Sequence, residues 1–220
     1  MSRADRALLD ELLRAERRAL LEQLEDLDEA AWAVPSLCEG WTVLHVTAHL
    51  AWAPVARPGA VLRGLAAAGF DPNRLNRRTA AAWAARGRAA VLAQLRENAA
   101  TLASPPGVPR AAAVLEAVLH GLDVRRPLDL EHRTDPRALR TAADVLVRTR
   151  WPLNVTVGGS AGARVRGHRL VAEDAGWEHG RGPEVRGSGE ALLLLLSGRP
   201  VGPDELSGPG AADVRRGPRR

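Results

Sequence analysis

Residues 111–126 read AAAVLEAVLHGLDVRR, and the fold follows from this stretch. Between Ala111 and Leu122 the only polar side chains are Glu116 and His120, with Asp123 following one turn later. A helix that is apolar on nearly every face belongs in the middle of a helical assembly, because no side of it is suited to water. Spacings of four and three residues put Glu116, His120 and Asp123 on one stripe of that helix. Arginine, which covers exposed faces elsewhere in the chain, is absent from 111–124. Pro109 suits the start of the helix, and Arg126 and Pro127 mark its end.

Working outward, leucines at 8, 9, 12, 13, 20, 21, 24 and 27 recur at helical spacing and predict an amphipathic helix from Ala4 to about Asp28. Thr42 is placed to cap a second helix reaching about Trp52, ahead of Pro54. An Ala-rich third helix is expected over Arg74 to Leu102, with Gly87 as its weak point, before Pro105, Pro106 and Pro109 interrupt the chain. With the helix at 109–126 these form a four-helix, antiparallel bundle. A further helix, Pro136 to Arg150, closes a first domain set at 1–150.

From Trp151 the texture changes. Gly becomes dense, and NVTV and ARVRGHRLVAED alternate Val with polar residues as short strands do. A last helix is expected at Glu190 to Leu196, capped by Ser188 and stopped by Gly198. The fold class is therefore α+β: a helical bundle at 1–150, a small α+β domain at 151–208, and a loose Arg-rich tail at 209–220.

Composition bounds the function. With 220 residues, 45% hydrophobic and 26% charged, the chain has the material for a folded core and is not a disordered one. Aromatics make up only 3%, so the core is built from Leu, Ala and Val, which favours helices. The net charge of +5 includes +3 from the last ten residues, where Arg215, Arg216, Arg219 and Arg220 face only Asp213. Elsewhere the balance is near neutral, which argues against a nucleic-acid partner. A single cysteine, Cys38, rules out an intrachain disulfide and fits a reducing cytoplasm. The opening MSRADRALLDELLRAERR is charged where a secretion signal needs an apolar run, and Leu192–Leu196 is far short of the ~20 residues that span a bilayer. Neither secretion by that route nor a membrane segment is expected.

The chemistry lies on two helices. Glu-x-x-x-His by itself is also the pattern of an ordinary wet helix face. In WTVLHVTAHLAW, His45 and His49 lie four apart and flank Val46 and Leu50, so at least one imidazole is expected to point inward. A single inward histidine commonly serves as a hydrogen-bonded core residue. An imidazole from one helix joined to Glu-x-x-x-His from another is, equally, how helical bundles build divalent-metal sites. Two nitrogens and one carboxylate suit Zn²⁺ and leave a fourth position open, the catalytic type of site. Cys38, in the loop before the second helix, reads as a packed thiol, Trp41 as a packing residue, and His132, His168 and His179 as exposed. Arg77 and Arg78 read as a solvated helix face.

Three segments, PSLCEGWTVLHVTAHL (35–50), EAVLHGLDVRRPL (116–128) and GWEHGRGPEVRGSGEALLLLLSGR (176–199), together resemble the mycothiol-dependent maleylpyruvate isomerase family. The resemblance implies a DinB-like metal-binding bundle followed by a small α+β domain similar to sterol carrier proteins. It implies zinc ligands at His49, Glu116 and His120. Members of the family often carry Asp where this chain has His45, which would bring a second imidazole beside the metal ligands. Asp123 would orient an imidazole N–H.

By the same resemblance, mycothiol would be held as a thiolate on the metal and attack a small electrophile, giving an isomerase or an S-transferase. Two other classes also fit the residues: a non-catalytic metal- or ligand-binding module, and a zinc hydrolase using activated water. Metal content separates the first from an enzyme, and thiol dependence separates the second.

Overall fold

The structure, a computed structural model, describes residues 2–105, 107–150 and 153–216. The chain divides into two compact units, Met1–His132 and Arg133–Arg220. Among the described residues no helix is long and apolar enough to cross a membrane.

Among the described residues the first unit holds six α-helices: α1 (Arg3–Glu25), α2 (Val43–Trp52), α3 (Pro58–Ala67), α4 (Pro72–Ala84), α5 (Arg88–Thr101) and α6 (Arg110–Arg125). Four of them close a ring, in which α1 packs on α5 and α6, and α2 packs on the same two from the other side. This is the expected four-helix bundle, with α6 buried along most of its length and Val114, Val118 and Val124 fully so. The leucine stripe of α1 supplies Leu12, Leu13, Leu20 and Leu24 to the core. The helices α1 and α6 run in the same direction, a departure from the expected antiparallel arrangement, because Asp10 pairs with Arg110 near their starts and Gln23 with Arg125 near their ends.

The expected helix at 74–102 is in fact two. Gly87 lies at φ 86°, a left-handed conformation that breaks the hydrogen-bond ladder and starts α5 afresh. The 58–67 stretch, unassigned from sequence, forms α3 behind Pro58, yet it buries no residue and so carries little periodic signal. At the end of α2, Pro54 has no N–H to offer the Leu50 carbonyl. The buried Asn98 of α5 takes its place, its Nδ2 donating to Leu50 O (3.3 Å) and Ala51 O (2.9 Å).

The second unit starts earlier than the expected boundary at 150. Here α7 (Pro136–Arg148) packs on α9 (Gly189–Ser197) through Ala138, Leu139, Ala142, Ala143 and Leu146. Gly189 permits the approach, since a methyl there would lie 2.8 Å from Leu139 Cδ1. Trp177 Nε1 donates to Asp144 Oδ1 (3.0 Å), and Arg140 donates to Ala175 O (2.8 Å), which fastens α7 further.

The sheet of this unit runs in the order β2-β1-β3-β4, from β1 (Arg169–Ala172), β2 (Trp177–Gly180), β3 (Glu184–Gly187) and β4 (Leu206–Ser207). The pair β1–β2 is an antiparallel hairpin, and β1–β3 is parallel. The NVTV segment is a 3₁₀ turn within Leu153–Val157 rather than a strand, and the first part of ARVRGHRLVAED is taken by the short helix α8 (Ala161–Arg164). The last predicted helix is present with both expected ends: Ser188 Oγ accepts from the Ala191 N–H (3.1 Å), and Gly198 stops α9 at φ 73°. The expected loose tail is ordered further than read, because α10 (Ala211–Arg215) buries Ala211 and Val214. Trp151, where the second domain was expected to start, and the tail residues Arg219 and Arg220 lie outside the described residues.

Candidate metal centre

The loop before α2 is shaped by its own polar groups. Ser36 Oγ accepts from the Cys38 N–H (3.2 Å) and donates to Trp41 O (2.8 Å), while Gly40 turns at φ 74°. Leu37 N–H donates to the Asp123 carbonyl (3.2 Å), which fixes this loop on α6. Cys38, Trp41 and the start of α2 are thereby carried to the level of His120 and Asp123.

His49 lies on α2 and is only 5% exposed. Its ring is enclosed by Trp41 (centroids 5.5 Å apart, edge-on), Trp52 (6.5 Å) and His120 (5.2 Å, at 76°). Its Nδ1 is buried and has no hydrogen-bond partner among the described residues. Burial first, and then the neighbouring charge on His120, push its pKa down to about 3 against the opposing pull of Asp123. The His49 imidazole is therefore neutral near pH 7.

His120 is held differently. Its Nδ1 lies 2.8 Å from Asp123 Oδ2, and Asp123 is completely buried. Burial alone would lower the His120 pKa, but the hydrogen bonds to Asp123 and Cys38 and their charges outweigh it, raising it to about 10. A carboxylate on Nδ1–H orients an imidazole and leaves Nε2 as its coordinating atom. Glu116, one turn before His120, is half-buried and makes no hydrogen bond or ion pair with any described residue. His49 Nδ1 is unpartnered and His120 is oriented by Asp123, but among the described residues the donor atoms close enough together to hold a metal ion are those of Cys38, His120 and Asp123, without His49 or Glu116.

The structure turns His45 elsewhere. Its Nδ1 faces Thr42 Oγ1 (2.8 Å) and accepts from the Thr42 N–H (3.3 Å), closing a capping box at the start of α2. An imidazole committed to the helix start replaces the expected neighbour of the ligands. Asp123 lies against the imidazole of His120.

Cys38 is the participant that sequence reasoning missed. Its thiol donates to Asp123 Oδ2 (3.0 Å) and lies 3.9 Å from His120 Nδ1, so Cys38, His120 and Asp123 form a cluster able to hold a metal ion. The contacts span more than eighty residues and no spacing rule reaches them. The one available signal was that a buried Asp on the ligand stripe needs donors.

Gly121, next to His120, has a separate explanation. A methyl there would sit 2.7 Å from Arg125 Nη1, whose guanidinium folds back along α6 to lie 3.5 Å from the buried Glu16 and to donate to Gln23 Oε1 (2.7 Å). Glu16 also receives His132 Nε2 (3.1 Å), so His132 is half-buried rather than exposed.

The fold and the site define a helical bundle with a histidine–carboxylate cluster that could hold a metal ion, followed by a small α+β unit. Residues 13–106 match the family described as the mycothiol maleylpyruvate isomerase N-terminal domain. The whole chain is similar to the crystal structure of the mycothiol-dependent maleylpyruvate isomerase, with a TM-score of 0.60 at 18% identity, covering 93% of each chain. A histidine-to-alanine mutant of that enzyme gives the same figures. No curated protein matches the chain.

Proposed function

We propose that the protein is a metal-dependent enzyme, with zinc at His49, Glu116 and His120, that uses a low-molecular-weight thiol on a small electrophile. Mycothiol is the thiol named for both the family and the solved neighbours. The observation that carries this reading is the His49–His120 pair at 5.2 Å with a buried, unpartnered Nδ1 on His49.

A bound zinc ion would supply a positive charge that lowers the pKa of a thiol and keeps it as the nucleophilic thiolate. The chain's own residues prepare for that chemistry. Asp123 accepts the His120 Nδ1–H and Cys38 S–H together, fixing the ring that faces His49. Trp41 and Trp52 pack on the His49 ring and keep water from it, which strengthens every electrostatic interaction beside it. Attack of the thiolate on a cis-enedioyl acid, rotation and expulsion of the thiol give isomerisation. Retention of the sulfur gives S-transfer. The same residues serve both outcomes. A thiol-using enzyme with one cysteine, present as the free thiol, suits a cytoplasmic setting.

The test is thiol binding at the metal. With Co²⁺ in place of zinc, adding mycothiol should produce a sulfur-to-metal charge-transfer band and release about one proton per thiol near neutral pH. Cobalt protein whose spectrum is indifferent to mycothiol would refute the thiol-dependent reading in favour of hydrolysis or of a non-catalytic site.

A further inference from the structure

The helix α3 is apolar without being buried. Its sequence, PGAVLRGLAA, has Arg63 as its one polar side chain, yet none of its residues is buried. A helix that is apolar on nearly every face belongs inside a protein or against another apolar phase. Its inner side rests on α4, where a methyl at Gly64 would come within 2.7 Å of Leu75 Cδ1. Its outer side exposes Ala60, Ala66 and Ala67 together with Leu62, which is 64% exposed.

Phe70 ends the helix in the same manner. Its N–H donates to Leu65 O (2.8 Å), while its side chain is 70% exposed. The residue sits at φ 61°, a left-handed conformation that glycine adopts freely and a bulky side chain only under strain. Strained backbone of this kind gathers where a protein binds or switches.

The charge around this apolar tip is of one sign. Between Pro54 and Arg78 five arginines, at 57, 63, 74, 77 and 78, stand against Asp71, a net charge of +4. All five are exposed, and among the described residues none makes an ion pair. Arg78 donates to Ala67 O (2.9 Å). The Asp71 carboxylate is engaged at the start of α4, where it accepts from the Asn73 and Arg74 N–H groups (2.8 and 3.2 Å).

This charge decides what can cover the tip. A second copy related by a two-fold axis would set the positive patch against itself, which repulsion opposes. A nucleic acid would answer the arginines and leave Leu62 and Phe70 in water. An anionic bilayer surface answers both, because its headgroups attract clustered basic residues and its acyl boundary takes up apolar side chains from a helix lying in the interface.

We infer that α3 and Phe70 form a docking tip for an anionic lipid surface, with Leu62 and Phe70 entering the acyl boundary and the five arginines among the headgroups. The protein would lie on such a membrane without crossing it.

The test is co-sedimentation of the full-length protein with vesicles of phosphatidylcholine mixed with phosphatidylserine, and with vesicles of phosphatidylcholine alone. Wild type should bind the anionic vesicles far better than the neutral ones, and less so as salt is raised. Arg74→Gln and Arg77→Gln, whose guanidinium groups hold nothing in the protein, should each weaken binding about fivefold. Phe70→Gly separates binding from folding: it relieves the left-handed backbone and should raise the urea midpoint, while loss of the ring weakens vesicle binding about tenfold or more. Leu62→Ser, at a separate exposed position, should weaken binding likewise and stands in should Phe70→Gly disturb the fold. No binding to anionic vesicles, equal binding to neutral ones, or undiminished binding by Phe70→Gly and Leu62→Ser would each overturn the inference. So would self-association of the wild type that Leu62→Glu abolishes, since a second copy would then cover the tip.

Discussion

Replacing Asp123 by Asn tests whether the centre depends on what lies behind its ligands. Asp123 is wholly buried, and its Oδ2 lies 2.8 Å from His120 Nδ1 and 3.0 Å from the Cys38 thiol. The amide has no charge, and its single acceptor oxygen must serve both donors or present an N–H to one of them. Hydrogen bonds to a charged partner contribute about 1.5–3 kcal/mol each, against about 0.5–1.5 kcal/mol for neutral ones. The His120 bond should therefore weaken by roughly 1–2 kcal/mol, or about five- to thirtyfold in an equilibrium constant. Loss of a carboxylate that orients a metal-bound imidazole commonly costs 10–100-fold in metal affinity, which agrees. The expected result for Asp123→Asn is zinc affinity lower by about tenfold or more, measured by competition with a chelating indicator, with far-ultraviolet circular dichroism unchanged. Pairing it with Cys38→Ala in a double-mutant cycle should reveal coupling, since both side chains act on the same oxygen. Zinc affinity within twofold of wild type in Asp123→Asn would refute this chain of reasoning.

His45→Ala should keep the full complement of metal by elemental analysis and cost about 0.5–1 kcal/mol in urea unfolding, because its ring serves the start of α2. Asn98→Ala leaves the carbonyls of Leu50 and Ala51 without their donor in a buried place and should lower unfolding free energy by about 1–3 kcal/mol, read from denaturant titration.

Helices that carry long buried stripes were legible in the sequence. The leucines of α1, the apolar run of α6 and the capped Leu192–Leu196 segment each bury a face whose period survives in the sequence. α3 buries nothing, so no period marks it. Gly87 was visible as a weak point, but whether a glycine bends a helix or ends it depends on a backbone angle that neighbours impose. The boundary at 132 was hidden because α7 is amphipathic enough to suit either unit, and Leu139 against Gly189 decides the matter.

At the site, the stripe of Glu116, His120 and Asp123 followed from helical spacing. His45 and His49, four apart, were indistinguishable by periodicity, and the capping geometry at Thr42 sorts them. Cys38 reaches the centre through a loop and leaves no local pattern.

The most direct measurement of the central claim is metal stoichiometry in wild type and His49→Ala after loading with zinc and gel filtration. One zinc per wild-type chain is expected, with most of it lost from His49→Ala while helical content persists, because burial of α1 and α6 and not the ion supplies the core. Zinc retained in full by His49→Ala, or none held by the wild type, would contradict a metal centre built on His49.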